Sequence, residues 1–132
     1  MIVLDASAAV EFLLRTPAAP AVDLWLFAAG QTIHAPHLID IEVAHVIRRY
    51  VAKGDIGAAL GHAALSDMTD LPIRRHAHDF LLNRIWELRN SISAYDAAYV
   101  ALAETLNATL ITRDARLART RGHSAQIEFV SV

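Results

Sequence analysis

Three aspartates stand where the residue pattern changes from one element to the next: Asp5, Asp96 and Asp114. A fourth acid, Glu42, flanks a helical stripe whose other flank carries Asp40. The chain has no cysteine, so a metal held by such a group would see hard carboxylate oxygens, the donors that magnesium and manganese prefer. An ion in that setting activates water and offsets the charge that builds on a phosphodiester. The chemistry suggested by the group is therefore phosphate chemistry.

Each acid taken singly also has a purely structural explanation. Asp5 and Asp114 each follow a short apolar run and precede a helical pattern, where an N-cap is worth about 1 kcal/mol. Asp96 lies three residues after Ser93, the spacing of a capping box. It also shares a helical face with Val100 and Ala103, which turns its carboxylate inward, where an unpartnered charge is costly. A helix N-terminus offsets part of that cost, and a divalent cation offsets far more. Between Glu42 and Asp40, periodicity alone makes no choice.

The elements that must position these residues follow from the pattern. Ile2-Val3-Leu4 predicts a strand, and Ser7 opens a helix through Val10 and Leu13. A second helix is expected between Pro20 and Gly30, then a strand at Thr32 to Ala35. Ile39, Val43, Val46, Ile47 and Tyr50 form an amphipathic stripe that ends at Gly54. Helical stretches are expected at Asp55 to Asp70 and Ala77 to Arg89, with a strand at Leu71 to Arg75 between them. Ser93 begins a helix that reaches Leu106, and Thr109 to Thr112 and Ile127 to Val130 read as strands. Short apolar strands alternating with helices predict an α/β domain with a mostly parallel sheet covered on both faces. In such sheets ligands gather at the carboxyl ends of the strands, where Asp5 and Asp114 both fall.

Composition sets the outer limits. The 132 residues fit one domain, and 55% hydrophobic against 20% charged residues argues for a packed globule over a disordered chain. The longest apolar runs, Leu24 to Ala29 and Ala97 to Ala103, are far shorter than the roughly 20 residues of a membrane span. The start at Met1 has no signal-peptide pattern, so a cytoplasmic protein beginning here is expected. A net charge of −2 supplies no global field for a polyanion, so any nucleic-acid contact must be local.

Local candidates exist. Eleven of the twelve basic residues are Arg, which suits bidentate phosphate contacts. Arg113 and Arg116, with Arg119 and Arg121, surround Asp114 and are candidate contacts for the phosphates of a nucleic acid, with a solvated basic face as the equal alternative. Arg74, Arg75, His76 and His78 form a second basic patch with the same ambiguity. The seven histidines lack zinc spacing, and His76 with His78 is expected to be a surface pair.

In order and spacing, Ile2-Val3-Leu4-Asp5-Ala6-Ser7, Glu42 in the third helix, Tyr95-Asp96-Ala97-Ala98-Tyr99-Val100-Ala101-Leu102-Ala103 and Leu110-Ile111-Thr112-Arg113-Asp114 resemble the PIN-domain toxins of VapBC toxin–antitoxin systems. The resemblance covers essentially the whole chain and implies a single PIN-like domain over residues 1–132. It also implies a metal-dependent endoribonuclease that uses one or two Mg2+ or Mn2+ ions, forms a homodimer and is inhibited by a cognate VapB-like antitoxin. Asp5, Glu42, Asp96 and Asp114 match the family's four acidic positions, which selects Glu42 over Asp40. Asp5 and Asp96 would be the principal ligands, with Glu42 and Asp114 completing the cage or positioning water. Ser7 and Thr112 match polar positions that orient those groups. Attack by water would leave a 5′-phosphate and a 3′-hydroxyl.

Three rivals are weighed against this expectation. A haloacid-dehalogenase-type phosphatase requires a second acid two residues after Asp5, where Ser7 stands. A phospho-accepting receiver requires an acidic pair near the first strand and a lysine after a late one, whereas Lys53 ends a helix. The remaining alternative is a non-catalytic PIN-fold module that binds RNA or regulates through a partner protein, and four intact carboxylates argue against it.

Overall fold

Ile2–Leu4 forms strand β1, and all three side chains are at most 1% exposed. Successive strand residues point to opposite faces, so a run buried at every position means that the sheet is covered on both sides. This is the arrangement expected of parallel strands. The computed structural model describes residues 1–132.

From β1 the chain passes through α1 (Ala6–Leu13) and α2 (Ala19–Leu26) to β2 (Ile33–Pro36). It continues through α3 (Ile39–Ala52) and α4 (Ala58–Asp70) to β3 (Ile73–His76). A 3-10 turn (Asp79–Leu81), α5 (Leu82–Glu87) and α6 (Ala94–Leu106) lead to β4 (Thr109–Thr112), and α7 (Ala115–Ala118) precedes β5 (Ile127–Phe129). The five strands pair in the order β3-β2-β1-β4-β5, and every pairing is parallel.

That order has one functional consequence. The sheet grows outward from β1 through β2 to β3, then returns past β1 to add β4 and β5. Growth changes direction between β1 and β4, and at such a switch point a crevice opens beyond the carboxyl ends of the two strands. Asp5 and Asp114 directly follow these two strands, or follow them by one residue. The in-register pairing of Leu4 with Ile111 brings the strand ends level.

The helix that crosses this region is α6, which packs on β1, β2 and β4. Ala97 through Ala103 are all buried, because a helix laid over the middle of a sheet and covered by neighbours has no solvent face over that stretch. Its start is fixed by Ser93, whose hydroxyl accepts from the Asp96 amide at 3.2 Å. Its end is set by Asn107 at φ 50°, a left-handed cap that Asn tolerates. On its outer side, Arg84 of α5 makes two bonds to Glu104 of α6, at 2.8 and 2.9 Å. The Arg84 bonds draw the Glu104 carboxyl down to about 2.

The pattern was right about the strands and wrong about one helix. Ala77 to Arg89 is not a single helix: the segment starts with a 3-10 turn, and α5 covers only six residues. Leu81 and Leu88 are its only fully buried side chains, and two anchors seven residues apart do not sustain a long amphipathic face. His76 and His78 are not a surface pair either. The ring of His76 meets buried His34 at 2.9 Å, and His78 accepts the Leu38 amide at 3.1 Å. The first bond ties β3 to β2, and the second ties the segment after β3 to the β2–α3 connection. No helix is long and apolar enough to cross a membrane.

Leu110, fully buried in β4 on the sheet that α6 covers, is a direct test of this packing. Leu110→Ala should lower the unfolding free energy by about 2–5 kcal/mol in urea denaturation. Leu24→Ala, at a position 77% exposed, should change it by no more than about 0.5 kcal/mol.

Candidate active site

Asp5 occupies the backbone position of an N-cap to α1, yet its side chain caps nothing. Its Oδ2 is engaged elsewhere: Ser7 Oγ donates to it at 2.5 Å and Thr112 Oγ1 at 2.8 Å. Each hydroxyl has one proton, so the Ser7–Thr112 approach of 3.2 Å is a contact between two spent donors. Both hydroxyls also accept, Ser7 from the Arg113 amide and Thr112 from the Asp114 amide, each at 2.9 Å. The turn after β4 is thereby laced to the turn after β1. Oδ1 of Asp5 receives no side-chain donor.

Asp114 resolves the other way. Its Oδ1 accepts from the amides of Arg116 and Leu117 at 2.9 and 3.3 Å, so it does cap α7. Oδ2 remains, 3.8 Å from the guanidinium of Arg116. Asp96 completes only half of a capping box: Ser93 takes its amide, and its carboxylate makes no return bond. That carboxylate is half-buried and meets Arg116 at 3.9 Å. With its side chain 82% exposed, Arg116 offers only a solvated, weak pairing.

Geometry separates Glu42 from Asp40. Asp40 turns outward into a two-pronged pair with Arg75, at 2.7 and 2.8 Å. Glu42 turns inward, where the hydroxyl of Tyr99 donates to its Oε1 at 2.7 Å. Tyr99 is fully buried in α6, so this bond joins α3 to α6 across the crevice. Sequence reasoning assigned Tyr99 no role. The available signal was its place three residues after Asp96, on the same helical face.

Asp5, Ser7, Glu42, Asp96 and Asp114 line one cleft of about 580 Å3, together with Ile41, His45, Arg49 and Tyr95. Thr112 lies beneath it, fully buried. Arg113 does not line it: its guanidinium meets the Val130 carbonyl at 2.5 Å, Glu11 at 3.6 Å and the ring of Phe129 at 5.4 Å. Of the second basic patch, Arg75 is taken by Asp40.

The electrostatics of the cleft oppose its own charge. Burial holds the Asp5 carboxyl above its ordinary value, against the bonds from Ser7 and Thr112, and Asp96 adds repulsion. Burial does the same to Glu42, opposed by Tyr99 and reinforced by Asp5 and Asp96. Asp96 is raised by burial and then by Asp114, with Arg116 and Ser93 opposing. Tyr99 is pushed far above the phenol range by burial and by the charges of Asp5 and Glu42, so it remains a neutral donor. Three carboxylates thus stand crowded, with solvated Arg116 as the basic side chain paired to any of them. No three acidic or histidine side chains already close on one point, so water would complete any coordination shell, as is usual for magnesium.

A carboxyl whose pKa is higher folded than unfolded binds its proton more tightly in the folded state, and stability then falls as pH rises through that interval. In EDTA, the contributions of Asp5, Glu42 and Asp96 should be intact below their ordinary values of 3.8, 4.5 and 3.8 and lost as pH rises through the raised ones. Asp5→Asn should therefore be more stable than the parent at neutral pH, with the difference vanishing in acid. Urea titrations of both proteins across pH will check the sign.

Comparison with known proteins identifies the family of the chain. Residues 2–123 match the family model for the PIN domain. The chain is 46% identical over 131 residues to ribonuclease VapC12 of Mycobacterium tuberculosis, covering 99% of this chain and 100% of that one. It is 45% identical over 120 residues to ribonuclease VapC9 of the same organism, covering 91% of each. Among solved structures, the sarcin-ricin-loop-cleaving toxin VapC20 of M. tuberculosis superposes with a TM-score of 0.69 at 13% identity, over 89% of this chain and 93% of that one. VapBC2 of Rickettsia felis, solved bound to a promoter DNA fragment, superposes with a TM-score of 0.68 at 17% identity, over 99% of this chain and 100% of that one. A carboxylate-lined switch point on an all-parallel five-stranded sheet and close identity along nearly the whole length lead to one conclusion: this chain belongs to the PIN-domain family, in its VapC branch.

Proposed function

We propose that this protein is a magnesium- or manganese-dependent endoribonuclease, the toxin of a type II toxin–antitoxin pair. The observation that carries the reading is the convergence of Asp5, Glu42, Asp96 and Asp114 on one cleft, where burial and mutual repulsion hold three of them above their ordinary values. The donor set fits a hard divalent cation. Asp5 through Oδ1 and Asp96 would hold one or two ions, with Glu42 and Asp114 Oδ2 completing the cage. When bound, the ion supplies an activated water and takes up charge on the phosphodiester.

The remaining work belongs to the chain. Ser7 and Thr112 fix the rotamer of Asp5, so its free oxygen faces the cleft without a search over side-chain conformations. Tyr99 does the same for Glu42, binding Oε1 and leaving Oε2 to orient water or receive its proton. Arg116 lies beside Asp96 and Asp114, and its solvated guanidinium can leave them for an RNA phosphate. The VapBC2 neighbour supports a cognate VapB-type antitoxin as partner, and we infer, from the family resemblance alone, that this partner inhibits the chain and that a homodimer is the working unit. The alternative, a non-catalytic PIN-fold module that binds RNA or regulates through a partner protein, would leave the four converging carboxylates without a role.

Cleavage of RNA by the purified, antitoxin-free chain should stop in EDTA and return with manganese, leaving 5′-phosphate ends. Asp5→Asn and Asp96→Asn should abolish it. Thr112→Val should lower it by about 10- to 100-fold, as expected for a group that orients a ligand, and Asp40→Asn should leave it unchanged. Manganese should also raise the thermal midpoint of the parent more than that of Asp5→Asn. Cleavage that persists in EDTA, or in both Asp variants, would sink the proposal.

A further inference from the structure

The carboxylate cleft continues past Asp96. That residue also lines a second groove of about 370 Å3, bounded by Arg89 and Ser93 on one side and Arg116 and Thr120 on the other. This groove in turn shares Arg89, Ile92 and Ser93 with an apolar shelf of about 470 Å3 that carries Trp86. Three depressions therefore run edge to edge from Asp5 to Trp86.

Trp86 is 66% exposed, although burying such a ring is strongly favourable. The guanidinium of Arg89 lies over the ring, 4.4 Å from its centroid, and donates to the Trp86 carbonyl at 3.0 Å. The pair is thus held in place with Arg89 over one ring face, while the ring borders the open shelf. Arg89 takes part in none of the chain's ion pairs. The track offers cations at Arg116 and Arg89, a flat aromatic surface at Trp86 and carboxylates at its end.

A ligand matching that sequence of surfaces carries regular negative charge and a flat ring. An acidic peptide brings charge without a flat ring at regular spacing, and a basic one would be repelled at Arg89 and Arg116. A duplex hides its base faces, whereas an unpaired strand presents them to aromatic side chains. Resting on the ribonuclease reading above, we propose that this track binds the single-stranded RNA flanking the cleaved bond, with a base stacked on Trp86 and backbone phosphates on Arg89 and Arg116. The substrate is then unpaired on that side of the scissile phosphate.

The test uses the full chain carrying Asp5→Asn, so that RNA is bound and not cut, with a fluorescein-labelled unstructured RNA oligonucleotide as probe. Adding W86A should weaken binding by about 5- to 100-fold, the range set by one base–aromatic stack. W86F should restore most of it, and F80A, at an exposed aromatic outside the track, should change nothing. R89A should lower the slope of log K against log salt by about 1. Tryptophan emission should be quenched by RNA in the parent and not in W86F, where only Trp25 remains. In the cleaving chain, W86A should raise KM with little change in kcat. RNA affinity unchanged in W86A overturns the proposal, as does equal weakness of W86F and W86A. Loss of self-association in W86A with RNA binding intact would make the shelf a protein interface and also overturn it. If the parent chain neither binds nor cuts RNA, the ribonuclease reading itself falls, which is a separate result from failure of W86A alone.

Discussion

A carboxylate at the end of the central strand β1 has to be oriented without a basic side chain to pair with it. Asp5 meets this demand with two hydroxyls, Ser7 and Thr112, both on its Oδ2. Neutral donors hold the group still but do not cancel its charge, so burial continues to favour the protonated form. A lysine or arginine in the same place would have stabilised the anion and filled the space a cation would take. The hydroxyl pair fixes geometry and leaves the electrostatic demand unmet, and the rest of the cleft is consistent with that choice.

The other acids and bases of the chain are sorted around it. Arg75 takes Asp40 and Arg84 takes Glu104, both on the periphery. Arg113 is engaged with Glu11, Phe129 and the Val130 carbonyl, where it secures the last strand. By contrast, the cations nearest the cleft are left exposed, Arg116 at its edge and Arg49 on its wall. Strong fixed pairs stand outside and weak solvated ones inside. A cleft of that kind stays negative at its floor while offering exposed guanidinium groups at its rim, the arrangement that the proposed cleavage of a polyanion would use.

The sheet makes this sorting possible at low cost in chain length. Reversal of strand order between β1 and β4 brings the turns after both strands to one place, and α6, lying across β1, β2 and β4, delivers Asp96 and Tyr99 to it. Tyr99 then reaches Glu42 on α3, so four segments far apart in sequence are bonded around one crevice. Superposition with toxin structures at 13% and 17% identity indicates that this scaffold tolerates wide changes in side chains while the chain path persists.

Much of this was legible in the residues. The strands were visible because buried parallel strands are unbroken apolar runs, and α3 and α6 because their stripes and caps are local. The position of Asp5 and Asp114 after strands was equally plain. Their roles were not, since a cap and a site residue occupy the same position in a strand–turn–helix unit. Only the tertiary structure shows that Asp114 does cap while Asp5 does not, because the hydroxyl of Thr112, 107 residues away, draws the Asp5 carboxylate elsewhere. Glu42 and Asp40 were likewise equivalent flanks of one stripe until Tyr99, 57 positions from Glu42, and Arg75, 35 positions from Asp40, divided them. Sequence periodicity reports on neighbours within a few helical turns, whereas the partner that orients a charged side chain can come from any part of the chain. Element types and candidate acids were therefore determined by the sequence pattern, and the choice of which acid faces the cleft was made by contacts that exist only after folding.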